Sequence, residues 1–84
     1  MKYIFSDKHD IFRIVVFQNE ENRKYGFSIH APIEGKENEF STSPIIFHVA
    51  VFENSNEGMI KGKALIDCMV NNDIDYRNLK FYQN

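Results

Sequence analysis

The sequence predicts an α+β fold: a four- to five-stranded antiparallel sheet in β-meander order, with one main α-helix packed on one face. Short segments of apolar or alternating character are separated by polar turns, which is typical of strands joined by hairpins. One longer segment has helical spacing and a capping residue in front of it. The chain has 84 residues, so we predict a single domain, 1–84, with a small core.

The strands are predicted from period-two alternation and from the turn residues between apolar runs. The expected strands are Lys2 to Ser6, Ile11 to Gln18, Tyr25 to Ala31, Ile45 to Phe52 and a short last strand, Leu79 to Tyr82. The Ile45 to Phe52 segment is apolar on both sides except at His48. That pattern predicts a central strand that is covered on both faces.

The helix is expected from Ser55 to Asn71. Asn54 has a side chain suited to an N-cap, and Glu57 follows three residues later as in a capping box. Asn71 and Asn72 tolerate the left-handed conformation that often ends a helix. The segment therefore has both a start signal and a stop signal.

Two pairs of residues within the helix carry further expectations. Gly58 and Gly62 each weaken a helix by up to about 1 kcal/mol relative to Ala, so we expect close packing against the sheet at Gly62. Lys63 and Asp67 are four residues apart, which predicts an ion pair along the helix surface.

The predicted core joins one sheet face to the helix. Its expected members are Phe27, Ile29, Val49, Val51, Leu65, Ile66 and Met69. The opposite face would then carry Phe12, Ile14 and Val16 or the residues that alternate with them, and one helix covers only one face of a sheet. An apolar face of that kind needs a cover, such as the loop from Glu34 to Pro44, a second copy of the protein or a partner.

The chemistry-bearing residues do not form an enzymatic motif. His30 and His48 interrupt apolar alternation and would suit one sheet face, where two imidazoles and a carboxylate hold zinc in some proteins. Two independent polar residues are the favoured interpretation. Cys68, near the end of the helix, is interpreted as a buried structural cysteine because the helix dipole there disfavours a thiolate. We therefore predict no enzyme, no metal and no cofactor.

Acidic residues gather in loops, where a solvated surface is the favoured interpretation. Carboxylates of this kind also form rims that meet a basic partner. The candidate partner-binding residues are the loop residues Glu34, Glu37, Glu39 and Phe40, together with Phe12 and Ile14 on the uncovered sheet face.

Composition limits the partners and the compartment. The net charge is −2, whereas surfaces that follow nucleic-acid phosphates normally belong to basic domains. A single cysteine excludes an internal disulfide, and no apolar stretch approaches the roughly 20 residues of a membrane span. We expect a cytoplasmic protein with no membrane partner.

These observations favour a small non-enzymatic protein-binding module. We expect a homodimer formed through the uncovered sheet face or an edge strand, because a symmetric dimer hides such a face without another protein. The abundance of Ile, Asn, Phe and Lys would suit a phage or mobile-element inhibitor of a host defence protein. The alternative is a small nucleic-acid-binding or regulatory domain, in which exposed aromatic residues of a sheet stack on bases.

Overall fold

A computed structural model describes residues 1–78. It shows a four-stranded antiparallel sheet with one helix packed against it, which confirms the α+β prediction. The elements are β1 (Lys2–His9), β2 (Phe12–Gln18), β3 (Tyr25–His30), β4 (Ile46–Phe52), α1 (Ser55–Asn71) and a 3-10 turn (Tyr76–Asn78). The predicted strand from Leu79 to Tyr82 lies outside the described residues.

The strands follow one another across the sheet in the order β1-β2-β3-β4. This is the predicted meander. Within residues 1–78, β4 is an edge strand and not the central strand that the Ile45 to Phe52 pattern predicts. Apolar residues on both faces of a strand indicate a covered strand in parallel sheets, but the position of a strand in a meander follows from its order in the chain.

The helix packs on the sheet face that carries Phe12, Ile14 and Val16. Ile14 lies opposite Ile29, and Val16 lies opposite Phe27, and directly paired residues share a face of the sheet. These side chains form the core together with Met59, Ile66 and Met69 of α1. Phe12 is 3% exposed and Ile14 is fully buried, so the prediction that they lie on the uncovered face is wrong.

A β-bulge in β4 exposes two residues that the sequence places in the core, Val49 and Val51. Tyr25 pairs with Phe52 and Phe27 with His48, so the register shifts between them. Val49 is 59% exposed and Val51 is 53% exposed, although both were expected in the core. A bulge bends its strand and changes the direction of its side chains, and simple alternation along Ile45 to Phe52 cannot reveal it. Phe27, Ile29, Ile66 and Met69 are buried as predicted, and Leu65 is partly buried against them.

The N-terminus of α1 is capped as the sequence predicts, but the left-handed residue after its C-terminus is a different one. The Asn54 side chain accepts a hydrogen bond from the Glu57 amide at 2.8 Å, as an N-cap does. Glu57 accepts in turn from the amide of Glu53 at 3.3 Å. Asn72 has a φ of −104°, so the expected left-handed stop at Asn71 or Asn72 is wrong. Asp73, with a φ of 52°, is the left-handed residue instead.

Two polar contacts join side chains of α1 to side chains of the edge strand β1. Lys63 Nζ lies 2.9 Å from an oxygen of Asp7, and His9 Nε2 lies 2.8 Å from an oxygen of Asp67. The predicted Lys63–Asp67 pair is therefore replaced by two contacts to β1. The hydrogen bond from Lys63 holds the pKa of the Asp7 carboxyl below its usual value.

The two helix glycines meet the sheet differently, and alanine substitutions should separate them. A Cβ at Gly62 would lie 3.0 Å from Ile14 Cγ2, whereas a Cβ at Gly58 would lie 3.7 Å from its nearest neighbour, Val16 Cγ1. We expect Gly58→Ala to stabilise the protein by up to about 1 kcal/mol through helix propensity. We expect Gly62→Ala to lose that gain to crowding. Urea unfolding of both variants measures the difference, and an equal gain for both would show that α1 is not in close contact at Gly62.

Candidate binding surfaces

The sheet face that points away from α1 is called here the open face. It takes the alternate residue of each strand, because successive side chains of a strand point to opposite sides. Its members are Tyr3, Ser6, Lys8, Arg13, Val15, Phe17, Gly26, Ser28, His30 and Phe47. No helix of the described residues covers this face.

Aromatic residues occupy one end of the open face. Tyr3 pairs with Phe17, and Phe17 pairs with Gly26. The Phe17 ring stacks on Phe47 with centroids 5.1 Å apart, in the space that a side chain at position 26 would need. Tyr3 is 63% exposed and Phe47 is 38% exposed. This end therefore presents aromatic surface to solvent from both sides of the buried Phe17.

Basic residues form a row across the other end of the open face. Lys8 pairs with Arg13, and Arg13 pairs with His30, so the three lie side by side on β1, β2 and β3. Arg13 donates a hydrogen bond to Ser6 Oγ at 3.0 Å, which directs its guanidinium toward the centre of the face. Asp7 is the one carboxylate in the four described strands. It binds Lys63 of α1 on the other side of the sheet.

His30 joins the basic row to the loop that follows β3. Its Nδ1 lies 2.8 Å from the Ser41 carbonyl oxygen, and its Nε2 lies 2.8 Å from Ser28 Oγ. A carbonyl only accepts, so Nδ1 carries the proton, and a neutral ring then accepts from the Ser28 hydroxyl at Nε2. Ser28 is buried, and this contact satisfies its hydroxyl.

The loop after β3 folds into a small hairpin of residues 31–41, called here the acidic hairpin. The Ile33 amide donates to the Glu39 carbonyl at 2.9 Å. Its carboxylates, Glu34, Glu37 and Glu39, are exposed as expected for a solvated loop. Phe40 is partly buried, and the Arg13 guanidinium lies 4.9 Å from its ring centroid. The acidic candidates therefore border the basic end of the open face, whereas Phe12 and Ile14 are buried in the core on the helix side.

The second candidate surface is β4 itself, the edge strand of the sheet that residues 1–78 form, called here the β4 edge. Its exposed apolar residues are Phe47, Val49 and Val51, and Phe47 also belongs to the open face. The seven residues of β4 include no Asp, Glu, Lys or Arg. The opposite edge of the sheet, β1, contains Lys2, Asp7 and Lys8, and charged residues protect an edge strand from pairing with other chains. The two edges therefore differ sharply in polarity.

The residues considered for chemistry are dispersed. His30 lies on the open face, whereas His48 stacks on Phe27 on the helix side, so the two histidines are not neighbours on one face. Residues 1–78 hold no group of three side chains suited to a metal ion. Cys68 is exposed rather than buried. It lies one position before the buried Met69 and therefore falls outside the apolar stripe of α1.

Sequence reasoning missed the basic row and the exposed part of β4. Lys8 lies beyond the predicted end of the first strand at Ser6, whereas β1 continues to His9, and only the register between β1 and β2 brings Lys8 beside Arg13. Phe47, Val49 and Val51 were visible as large apolar residues. Their exposure depends on the edge position of β4 and on its bulge, for which the sequence offers no local signal.

Two further findings concern membranes and known proteins. No helix within residues 1–78 is long and apolar enough to cross a membrane. No family model matches the chain, and neither the curated proteins nor the solved structures contain a match.

Proposed function

We propose that this protein is a non-enzymatic protein-binding module that acts through the β4 edge. The supporting observation is the exposure of Val49 and Val51, at 59% and 53%, on an edge strand without charged residues. Edge strands that are long, apolar and uncharged readily associate with other chains. Binding would remove this apolar surface from water, which contributes about 25 cal/mol per Å².

The partner that fits this edge most directly is the β4 edge of a second copy. A two-fold symmetric contact places the same patch on both chains, so the patch must be complementary to itself. An uncharged strand meets this condition because no like charges are brought together. The nearest charged residue after β4, Glu53, already pairs with Lys24. A contact through one seven-residue strand would lie at the low end of specific interfaces, below about 1,200 Å² in total, and we expect association that is measurable at micromolar concentration.

Placing a charge on the β4 edge should separate the two copies. We expect Val51→Lys to shift the protein from dimer to monomer, because pairing would bury two like charges. The matched control is Ile60→Lys, which places the same charge on a residue of α1 that is 65% exposed. Light scattering at micromolar concentration measures the mass. Dimerisation that survives Val51→Lys, or that is lost equally in Ile60→Lys, would contradict a β4 contact.

The narrower expectation of an inhibitor that acts on a host defence protein rests on composition, and it stays a prediction. A pull-down from host lysate with the wild type and with Val51→Lys tests it. The predicted result is a host protein that the wild type retains and the variant releases.

Nucleic-acid binding is a second candidate function, and one observation favours it. Lys8, Arg13 and His30 form a row on a sheet face to which the strands contribute no carboxylate. The net charge of −2 therefore does not describe this face. A local basic surface supports phosphate contacts even on a protein whose total charge is negative.

A further inference from the structure

We infer that the open face is a binding site for single-stranded nucleic acid, with phosphates on the basic row and unpaired bases on the aromatic end. This inference deepens the second candidate function. It shares Phe47 with the β4 edge, so Tyr3, Lys8 and Arg13 are the residues that test it separately from the dimer. Tyr3 and Phe17 form one row of paired residues on this face, and Lys8, Arg13 and His30 form another. The row between them consists of Ser6, Val15, Ser28 and Phe47, and the Phe47 ring stacks on Phe17.

The basic row places two cations next to each other. Residues paired across neighbouring strands have Cβ atoms about 5 Å apart, so Lys8 and Arg13 form a continuous positive strip. His30 lies beside Arg13, with its ring nitrogens in contact with Ser28 and Ser41. Arginine and lysine are the usual donors to phosphate oxygens. The hydrogen bond from Arg13 to Ser6 brings the guanidinium from the end of the face toward its centre, which is closer to the rings.

The groove beside the basic row adds further suitable groups. It has a volume of about 350 Å³ and is lined by Lys8, Lys36, Phe40 and their neighbours. Lys36 supplies another cation, and Phe40 supplies an aromatic side chain that already contacts Arg13. Glu37 also lines the groove, so the two lysines exceed its carboxylates by one positive charge.

The aromatic end suits bases that are not paired. Tyr3 and Phe47 expose ring surface on the open face, and base stacking on such rings contributes about 1–3 kcal/mol per base in single-stranded complexes. Bases inside a duplex are already stacked and cannot use the rings. A sheet face with exposed rings at one end and cations at the other therefore favours a single strand over a duplex.

Fluorescence anisotropy at low salt tests this site, with labelled oligonucleotides of about 15 nucleotides, near the upper end of the roughly 4–16 nucleotides that single-strand-binding domains occupy. The probes are oligothymidine DNA, oligouridine RNA and a DNA duplex of equal length. The variants are Lys8→Glu and Arg13→Glu, and Lys61→Glu on the exposed surface of α1 is the matched control. We expect the wild type to bind either single strand more tightly than the duplex.

The size of each effect separates the site from general charge attraction. We expect Lys8→Glu and Arg13→Glu to weaken binding by about tenfold or more, and Lys61→Glu by less than about threefold. The slope of log affinity against log salt should fall by about 0.7 for each phosphate that a variant no longer neutralises. We also expect Tyr3→Ala to weaken single-strand binding without a change in this slope, because a ring contacts bases and releases no counterions.

Three outcomes would overturn the inference. Only the last of them would also exclude nucleic-acid binding as a function. Binding that Lys8→Glu and Lys61→Glu weaken equally would leave nucleic-acid binding in place and remove the open face as its site. Tighter binding to the duplex than to either single strand would exclude stacking on Tyr3 and Phe47. No binding to any probe at low salt would remove both the site and the second candidate function.

Discussion

Replacing Phe27 by Ala is expected to cost about 3–5 kcal/mol of the free energy of unfolding, which is a large part of the stability of a domain this small. Phe27 is 1% exposed, and its ring lies 5.1 Å from the His48 ring and 6.1 Å from the Phe52 ring, measured between centroids. It also faces α1 at Gly62. Truncation would open a cavity between the sheet and the helix that neither can readily fill.

Val49→Ala is the matched control, because the sequence alone assigns Phe27 and Val49 to the same core. Val49 is exposed, so we expect its truncation to change stability by less than about 0.5 kcal/mol in the isolated protein. Urea unfolding under conditions that keep the chain monomeric measures both variants. Comparable losses for Phe27→Ala and Val49→Ala would show that the faces of the sheet are assigned wrongly.

Adding one methyl group at Gly26 should lower the free energy of unfolding nearly as much, because it crowds the sheet, whereas Phe27→Ala leaves a cavity. A Cβ there would lie 2.5 Å from the His48 carbonyl oxygen and 2.7 Å from Phe17 Cζ. The backbone oxygen belongs to β4 and cannot turn aside, so β3 and β4 must separate. Overpacking of this kind usually lowers the free energy of unfolding by about 1–3 kcal/mol. Because the atom in the way belongs to the backbone, we expect Gly26→Ala to lower it by about 3 kcal/mol or more.

The control for Gly26→Ala is the same substitution at Gly58, which meets only ordinary van der Waals distances. Thermal unfolding should rank Gly58→Ala above the wild type and Gly26→Ala well below it. Tolerance of Gly26→Ala would mean that the bulge of β4 does not approach β3 as described. The same result would remove the stacked Phe17–Phe47 pair from its place over Gly26.

The elements of the fold were predictable because local patterns specify them. Helix α1 begins at Ser55 and ends at Asn71 as expected, since Asn54 and Glu57 supply a local start signal. The four described strands differ from their predicted bounds by no more than three residues. The cost of a glycine within a helix also predicted the close packing at Gly62, where the nearest atom is a side-chain carbon of Ile14.

The assignment of faces was not predictable, because it depends on pairing between strands. In β2, Ile14 alternates with Val15, and both residues are apolar, so alternation alone cannot decide which of them faces α1. The register pairs Ile14 with Ile29 and Val15 with Ser28, and this pairing decides the question. The exposed residues of β4 and the row of Lys8, Arg13 and His30 depend on the same long-range information.

The central claim is that the β4 edge brings two copies of this chain together, and sedimentation velocity of the wild type over a range of micromolar concentrations tests it most directly. We predict a mass that rises with concentration from 9.9 kDa toward twice that value, with no larger species, because a two-fold contact closes on itself. A constant 9.9 kDa monomer across the whole range would contradict the claim.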